Sequence, residues 1–168
     1  MPNYRRDYSG HIWFFTVVTH NRVQMLTSEE ARRCLRKAIN DCREKYPFKI
    51  DAWVLLPDHL HYIWDLSEED LNYSRRWSII KRKFTQAFRR FNVPNPPFWQ
   101  KRFWAHHIDN DGDYEGHLNY IHYNPVKHGY VKAPREWPWT SFHRFAESGR
   151  HATNWGEYVN ISQEIGRE

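Results

Sequence analysis

Cysteine, acidic charge and long apolar runs are all scarce in this chain, and each shortage excludes something. Cys34 and Cys42 are the only cysteines among 168 residues. They lie eight apart in a helix-like segment, where about 12 Å of rise would separate them, too far for a disulfide. A disulfide-stapled scaffold is thereby excluded, and both thiols read as reduced. No run of about 18 apolar residues exists to cross a bilayer. The opening Met1-Pro2-Asn3-Tyr4-Arg5-Arg6-Asp7 also lacks the apolar stretch of a secretion signal. A cytoplasmic protein with no membrane partner is expected. Internal repeats and low-complexity blocks are missing too, so one domain is expected over residues 1–147, followed by a polar, mobile tail at 148–168.

Acidic residues number 20 against 25 Lys and Arg, giving a net charge of +5 and a pI near 9.2. That balance favours polyanionic partners, because Lys and Arg that neutralise phosphates release condensed counterions. Aromatic residues make up 17% of the chain and include nine Trp. Many adjoin cations, as in Arg75-Arg76-Trp77, Phe88-Arg89-Arg90-Phe91 and Trp99-Gln100-Lys101-Arg102-Phe103-Trp104. Rings beside cations suit the bases and phosphates of a single strand, although any one ring can equally be core with an Arg stem packed over it.

Periodicity gives the fold class. Residues 12–19, dense in β-branched and aromatic side chains, predict a buried strand. Thr27-Ser28-Glu29-Glu30 resembles a helix start, and Ala31, Cys34, Leu35, Ala38, Ile39 and Cys42 then recur at helical spacing until Tyr46-Pro47. Residues 48–56 and 60–66 predict a hairpin joined by Pro57-Asp58. A second amphipathic helix follows over 71–91, with Trp77, Ile80, Phe84, Ala87 and Phe91 turned inward. Residues 98–108 read as a fourth strand, and 111–124 as a third helix that should end or kink at Asn124, before Pro125. The order βαββαβ plus a helix predicts a ferredoxin-like α+β sandwich with an antiparallel sheet and a C-terminal catalytic helix.

Two segments carry chemistry. In His59-Leu60-His61, strand alternation sends both imidazoles to one face and Leu60, Tyr62 and Trp64 to the other, so the two histidines can converge on one metal. With eleven histidines in the chain, such a pair also arises by chance. On the third helix, Asp113, His117, Tyr120 and Asn124 share one face, with the Tyr120 phenol one turn from the Asn124 amide. Asn124 could complete a metal shell, or could simply terminate the helix. Tyr123 lies near the same face as an alternative nucleophile.

Together, His59-Leu60-His61 and Tyr120-Ile121-His122-Tyr123-Asn124-Pro125-Val126-Lys127-His128-Gly129 resemble the REP-associated tyrosine transposases, single-tyrosine members of the HUH (His-hydrophobic-His) nucleases related to the IS200-like single-strand transposases. Similar segments include Tyr4-Arg5-Arg6, Phe14-Phe15-Thr16-Val17-Val18-Thr19, Leu55-Leu56-Pro57-Asp58, Phe98-Trp99-Gln100-Lys101-Arg102-Phe103-Trp104 and Trp137-Pro138-Trp139-Thr140-Ser141-Phe142-His143. The likeness spans about residues 4–145 and does not extend into the tail. It implies cleavage and rejoining of single-stranded DNA at palindromic REP-type hairpins through a covalent 5′-phosphotyrosine, in a bacterial protein close to the nucleoid. Tyr120 matches the nucleophile and His59 and His61 the metal ligands. Asn124 stands where related transposases place a glutamine.

A phenol with a pKa of about 10 is a poor nucleophile at neutral pH, so a divalent cation, Mg²⁺ or Mn²⁺, is expected on His59, His61 and Asn124. Two imidazoles tilt that choice toward Mn²⁺. Arg5, Arg6, Lys81, Lys83, Arg89, Arg90, Lys101, Arg102 and Lys127 are the candidate DNA contacts. One site per chain needs no second copy, so a monomer suffices. Two other classes stay open: a non-catalytic single-stranded nucleic-acid-binding domain, and a metal-dependent hydrolase that uses activated water with Tyr120 orienting the substrate.

Overall fold

The computed structural model describes residues 8–91 and 95–157. Its element order is β1 (Ile12–Val18), α1 (Glu29–Lys45), β2 (Phe48–Leu55), β3 (His59–Leu66), α2 (Tyr73–Phe88), β4 (Trp104–His107), α3 (Asp111–Lys127) and α4 (Phe142–Glu147), with short 3-10 turns at His20–Arg22 and Pro134–Glu136. The four strands form one antiparallel sheet in the order β2-β3-β1-β4. This is the expected ferredoxin-like α+β arrangement, with α3 added on the second face. No helix among the described residues is long and apolar enough to cross a membrane.

Strand alternation divides the sheet into two unlike faces. Phe15 and Val17 of β1 and Leu60, Tyr62, Trp64 and Leu66 of β3 pack under α1 and α2. Ile12 and Phe14 of β1, with Ile63 of β3, face α3 instead. In β2 the register shifts between Ile50, opposite Trp64, and Ala52, opposite Ile63. This bulge reverses the alternation, so Phe48 before it and Leu55 after it share the α1/α2 face, while Ala52 and Val54 face α3. Ser28 caps α1 by accepting a hydrogen bond from the Ala31 amide, and Asn110 caps α3 through the Asp113 amide. Cys34 and Cys42 are free thiols.

The structure departs from the sequence expectations at several points. α2 stops at Phe88, and Phe91, expected inward, is 39% exposed. β4 is confined to Trp104–His107; of the earlier residues expected to be strand, Trp99 keeps only an isolated antiparallel bridge to Thr19, with the Gln100 amide donating to the Val18 carbonyl, while the Phe98 and Trp99 rings pack with α2. α3 runs three residues past Asn124, with Pro125 inside it. The missing proline N–H forfeits one helical bond, but the Asn124 carbonyl still accepts from the His128 amide, and the buried Leu118, Ile121 and Pro125 hold the helix in place. The helix ends at Gly129, whose φ of +74° suits a residue without Cβ. Residues 148–157, expected to be mobile tail, pack against the domain: the His151 ring stacks on Phe142 and Trp155 and hydrogen-bonds His122, and Glu157 pairs with Arg135.

Candidate active site

His59 and His61 open β3 on the α3 side of the sheet, 1% and 0% exposed. Their ring centroids lie 5.1 Å apart at 79°. Nδ1 of His59 is 2.7 Å from a carboxylate oxygen of Asp58. A carboxylate only accepts, so in the neutral imidazole Nδ1 carries the hydrogen and Nε2 the lone pair. The hydrogen bond from His59 holds the Asp58 carboxyl below the usual carboxylate range; burial opposes it and Arg22, at 3.3 Å, reinforces it. Nδ1 of His61 is hydrogen-bonded to the buried Thr16 hydroxyl at 2.9 Å. Each ring therefore has its δ nitrogen tied to a fixed partner, the usual support of a metal-ligating histidine.

α3 brings the remaining groups. The Tyr120 ring, 2% exposed, meets His61 edge-on at 5.2 Å, and Phe14 packs against both rings. Asn124 is fully buried one turn further on, and its Oδ1, like Nε2 of His59, is shut off from solvent. Two imidazoles and an amide oxygen make a reasonable donor set for Mn²⁺ or Mg²⁺. Tyr123 points elsewhere and lies beside Gly156.

Lys127 is placed differently from the other candidate DNA contacts. Its Nζ donates to the Tyr120 hydroxyl oxygen at 3.1 Å and sits 4.9 Å from that ring's centroid. This contact requires α3 to continue past Pro125, which the sequence pattern does not foresee. Arg5 and Arg6 lie outside the described residues. Lys81, Lys83, Arg89 and Arg90 belong to α2 and the residues just after it, on the opposite side of the sheet from Tyr120. Burial lowers Lys81 to about 8, its Nζ donates to the Gln100 carbonyl, and it sits over Phe103. Lys83 is 3.8 Å from Asp41. Lys101 and Arg102 are exposed in the segment before β4.

A second group of possible ligands adds a residue that the sequence pattern does not single out, His106, to two that it does. His106 on β4 joins Asp113 and His117 on α3, with one donor atom from each residue within 4.8 Å of the others. The Asp113 carboxylate is 2.9 Å from Nε2 of His106 and 3.1 Å from Nδ1 of His117, and the two imidazoles stack at 4.6 Å. Burial lowers the His117 pKa, partly opposed by its hydrogen bond to the Asp113 carbonyl. The signal for this group is His106 in β4 combined with the i, i+4 pair on α3, which the short connection between the two elements brings together.

The sequence signature of the IS200-like transposases matches residues 7–124. A REP-associated tyrosine transposase of Escherichia coli is 46% identical over 165 residues, 96% of each chain. A protein of Haemophilus influenzae bearing the same family name is 40% identical over 166 residues, covering 93% of this chain and 94% of its own. Among solved structures, a REP-associated tyrosine transposase bound to a REP hairpin superposes with a TM-score of 0.83 at 42% identity, covering 100% of this chain and 98% of that one. With the signature spanning most of the domain and the relatives matched end to end, this chain belongs to the IS200-like transposase family and, within it, to the REP-associated tyrosine transposases.

Proposed function

We propose that this protein cleaves and rejoins single-stranded DNA at palindromic REP-type hairpins, with Tyr120 as nucleophile and His59, His61 and Asn124 as ligands of a divalent cation. The observation that carries the reading is the phenol of Tyr120, held edge-on to His61 and hydrogen-bonded by Lys127. Family membership supports the reaction class, and the hairpin bound to the 42% identical relative supports the substrate.

Attack of the Tyr120 oxygen on phosphorus forms a phosphotyrosyl ester and breaks the bond to the sugar 3′-oxygen. The phenol gives up its proton and the departing 3′-oxygen takes one up. The ammonium of Lys127 stabilises negative charge on the phenol oxygen, both during attack and when that oxygen leaves on rejoining. The ester conserves the energy of the broken phosphodiester, so a free 3′-hydroxyl can reverse the step without ATP. Phe14 and the His61 ring fix the phenol's direction, limiting the orientational freedom lost on the way to the transition state. A cation on His59, His61 and Asn124 would polarise the scissile phosphate and offset its developing charge, with Mn²⁺ favoured over Mg²⁺ by the two imidazoles.

Incubating labelled hairpin oligonucleotide with the protein and Mn²⁺, followed by a denaturing gel, tests the proposal. A covalent adduct absent with Tyr120→Phe and with EDTA is expected. Cleavage that persists in Tyr120→Phe with a free 5′-phosphate would assign the reaction to activated water, and metal-indifferent binding without cleavage would make the domain a binding module.

A further inference from the structure

From the metal-ligand candidate His59 a line of aromatic rings leads around the edge of the sheet. The His59 ring meets His128 at 5.0 Å, His128 meets Tyr130 at 6.2 Å, Tyr130 meets Trp137 at 5.4 Å and Trp137 meets Trp139 at 5.2 Å. His128 and Tyr130 are exposed, the latter by 40%. Trp137 is buried and its indole N–H donates to the Leu55 carbonyl, which fixes the line to the end of β2. The Leu55 amide in turn donates to the Trp139 carbonyl. The segment 137–141 thus wraps the open edge of β2 and carries the rings from the α3 side to the α1 side.

There the line ends at a cavity of about 160 Å³ lined by Arg32, Arg36, Asn40, Trp53, Tyr62 and Trp139, among others. The Arg32 guanidinium lies 4.9 Å from the Trp139 ring centroid, and Arg36 and Asn40 are exposed at the rim. Half-exposed indoles flanked by guanidinium groups are what an unpaired base and its phosphate require, and stacking on a ring is tolerant of base identity. The Asp58 carboxylate, next to His59 in the chain, is already engaged by His59 and Arg22.

We infer that His128, Tyr130 and Trp139 form a stacking track for the single strand flanking the hairpin, and that an unpaired base of that strand seats in the Arg32/Arg36/Trp53/Trp139 pocket. The inference rests on the nuclease reading for its ligand class and names a surface that starts beside His59 and runs around the sheet edge to a pocket on the α1 side.

Anisotropy titrations test it with two probes: a REP-type hairpin oligonucleotide carrying single-stranded flanks at both ends, with 2-aminopurine in the flanks, and the same hairpin without flanks. Tyr130→Ala and Trp139→Ala should each weaken the flanked probe by about tenfold, relieve 2-aminopurine quenching, and leave the blunt hairpin's affinity unchanged. Tyr130→Phe and Trp139→Phe, which keep a ring, should restore both signals. Equal weakening of both probes, or of neither, overturns the track. Adduct formation by the unaltered protein is scored on the same flanked probe. No adduct together with flank-specific loss sinks the nuclease and keeps the track, whereas an adduct without flank dependence does the reverse.

Discussion

The two faces of the sheet use the same strands for opposite purposes. Under α1 and α2, β3 contributes Leu60, Tyr62 and Trp64, and Trp64 stacks on Trp77 at 4.4 Å. The other face of that strand contributes His59 and His61, joined beneath α3 by buried Thr16, His117 and Asn124. Burying polar groups is unfavourable unless partners are supplied, so this polar end of the α3 face adds less stability than the apolar remainder around Phe14, Val54 and Ile63, and serves instead to hold fixed hydrogen-bonding atoms. The apolar face under α1 and α2 provides the rigid support on which that arrangement depends. Even its buried charge is structural: the Arg76 guanidinium donates to the carbonyls of Tyr46, Asn72 and Pro47.

Substitutions on each face sharpen this contrast. The largest expected effect on stability is Trp64→Ala, which should lower unfolding free energy by about 3–5 kcal/mol in urea titrations. His61→Ala should cost much less, and damage equal to that of Trp64→Ala would show that both faces serve stability alike. Removing a support of a ligand comes next: Asp58→Asn should weaken Mn²⁺ binding about 10- to 100-fold by calorimetry, and His106→Ala should leave it nearly unchanged if His59 and His61 hold the ion. The reverse pattern would move the metal to the His106, Asp113 and His117 group. Lys127→Met should slow adduct formation at saturating hairpin by about tenfold, with Lys127→Arg recovering most of it. A loss of affinity with an unchanged saturated rate would instead make Lys127 a backbone contact.

The smallest effect concerns Lys81, whose pKa is lowered to about 8 in the folded protein from an ordinary 10.5. Between those values the unfolded chain holds a proton that the folded chain has released, so this group's contribution to stability rises with pH across that window. Lys81→Met should therefore be favoured near pH 7, and its advantage should shrink as pH rises from 8 to 10.5. Hairpin affinity should not change, because Lys81 lies on the packing face. A constant difference across the window would show that the ammonium is not desolvated.

Much of this division was legible in the sequence because alternation is local. The two-residue period separates His59 and His61 from Leu60, Tyr62 and Trp64 without any knowledge of topology, and the spacing of Ala31, Leu35, Ala38, Ile39 and Cys42 marks the buried stripe of α1. What escaped depends on contacts that local patterns do not encode. Lys127 reaches Tyr120 only because tertiary packing carries α3 through Pro125. His106 meets Asp113 and His117 because the short connection after β4 folds α3 back over that strand. Segment 137–141 hydrogen-bonds to β2 across more than eighty residues of sequence. Charge alone does not say which face a basic residue occupies, and α2 carries Lys81 and Lys83 to the face away from Tyr120.

In the proposed mechanism Tyr120, and no neighbouring group, carries the DNA. The direct measurement is mass-spectrometric mapping of the nucleotide-linked peptide, after proteolysis and nuclease trimming of protein incubated with hairpin and Mn²⁺. A single phosphodiester-linked residue, Tyr120, is expected. Modification of Tyr123, or a cleaved hairpin with no linked peptide, would contradict it.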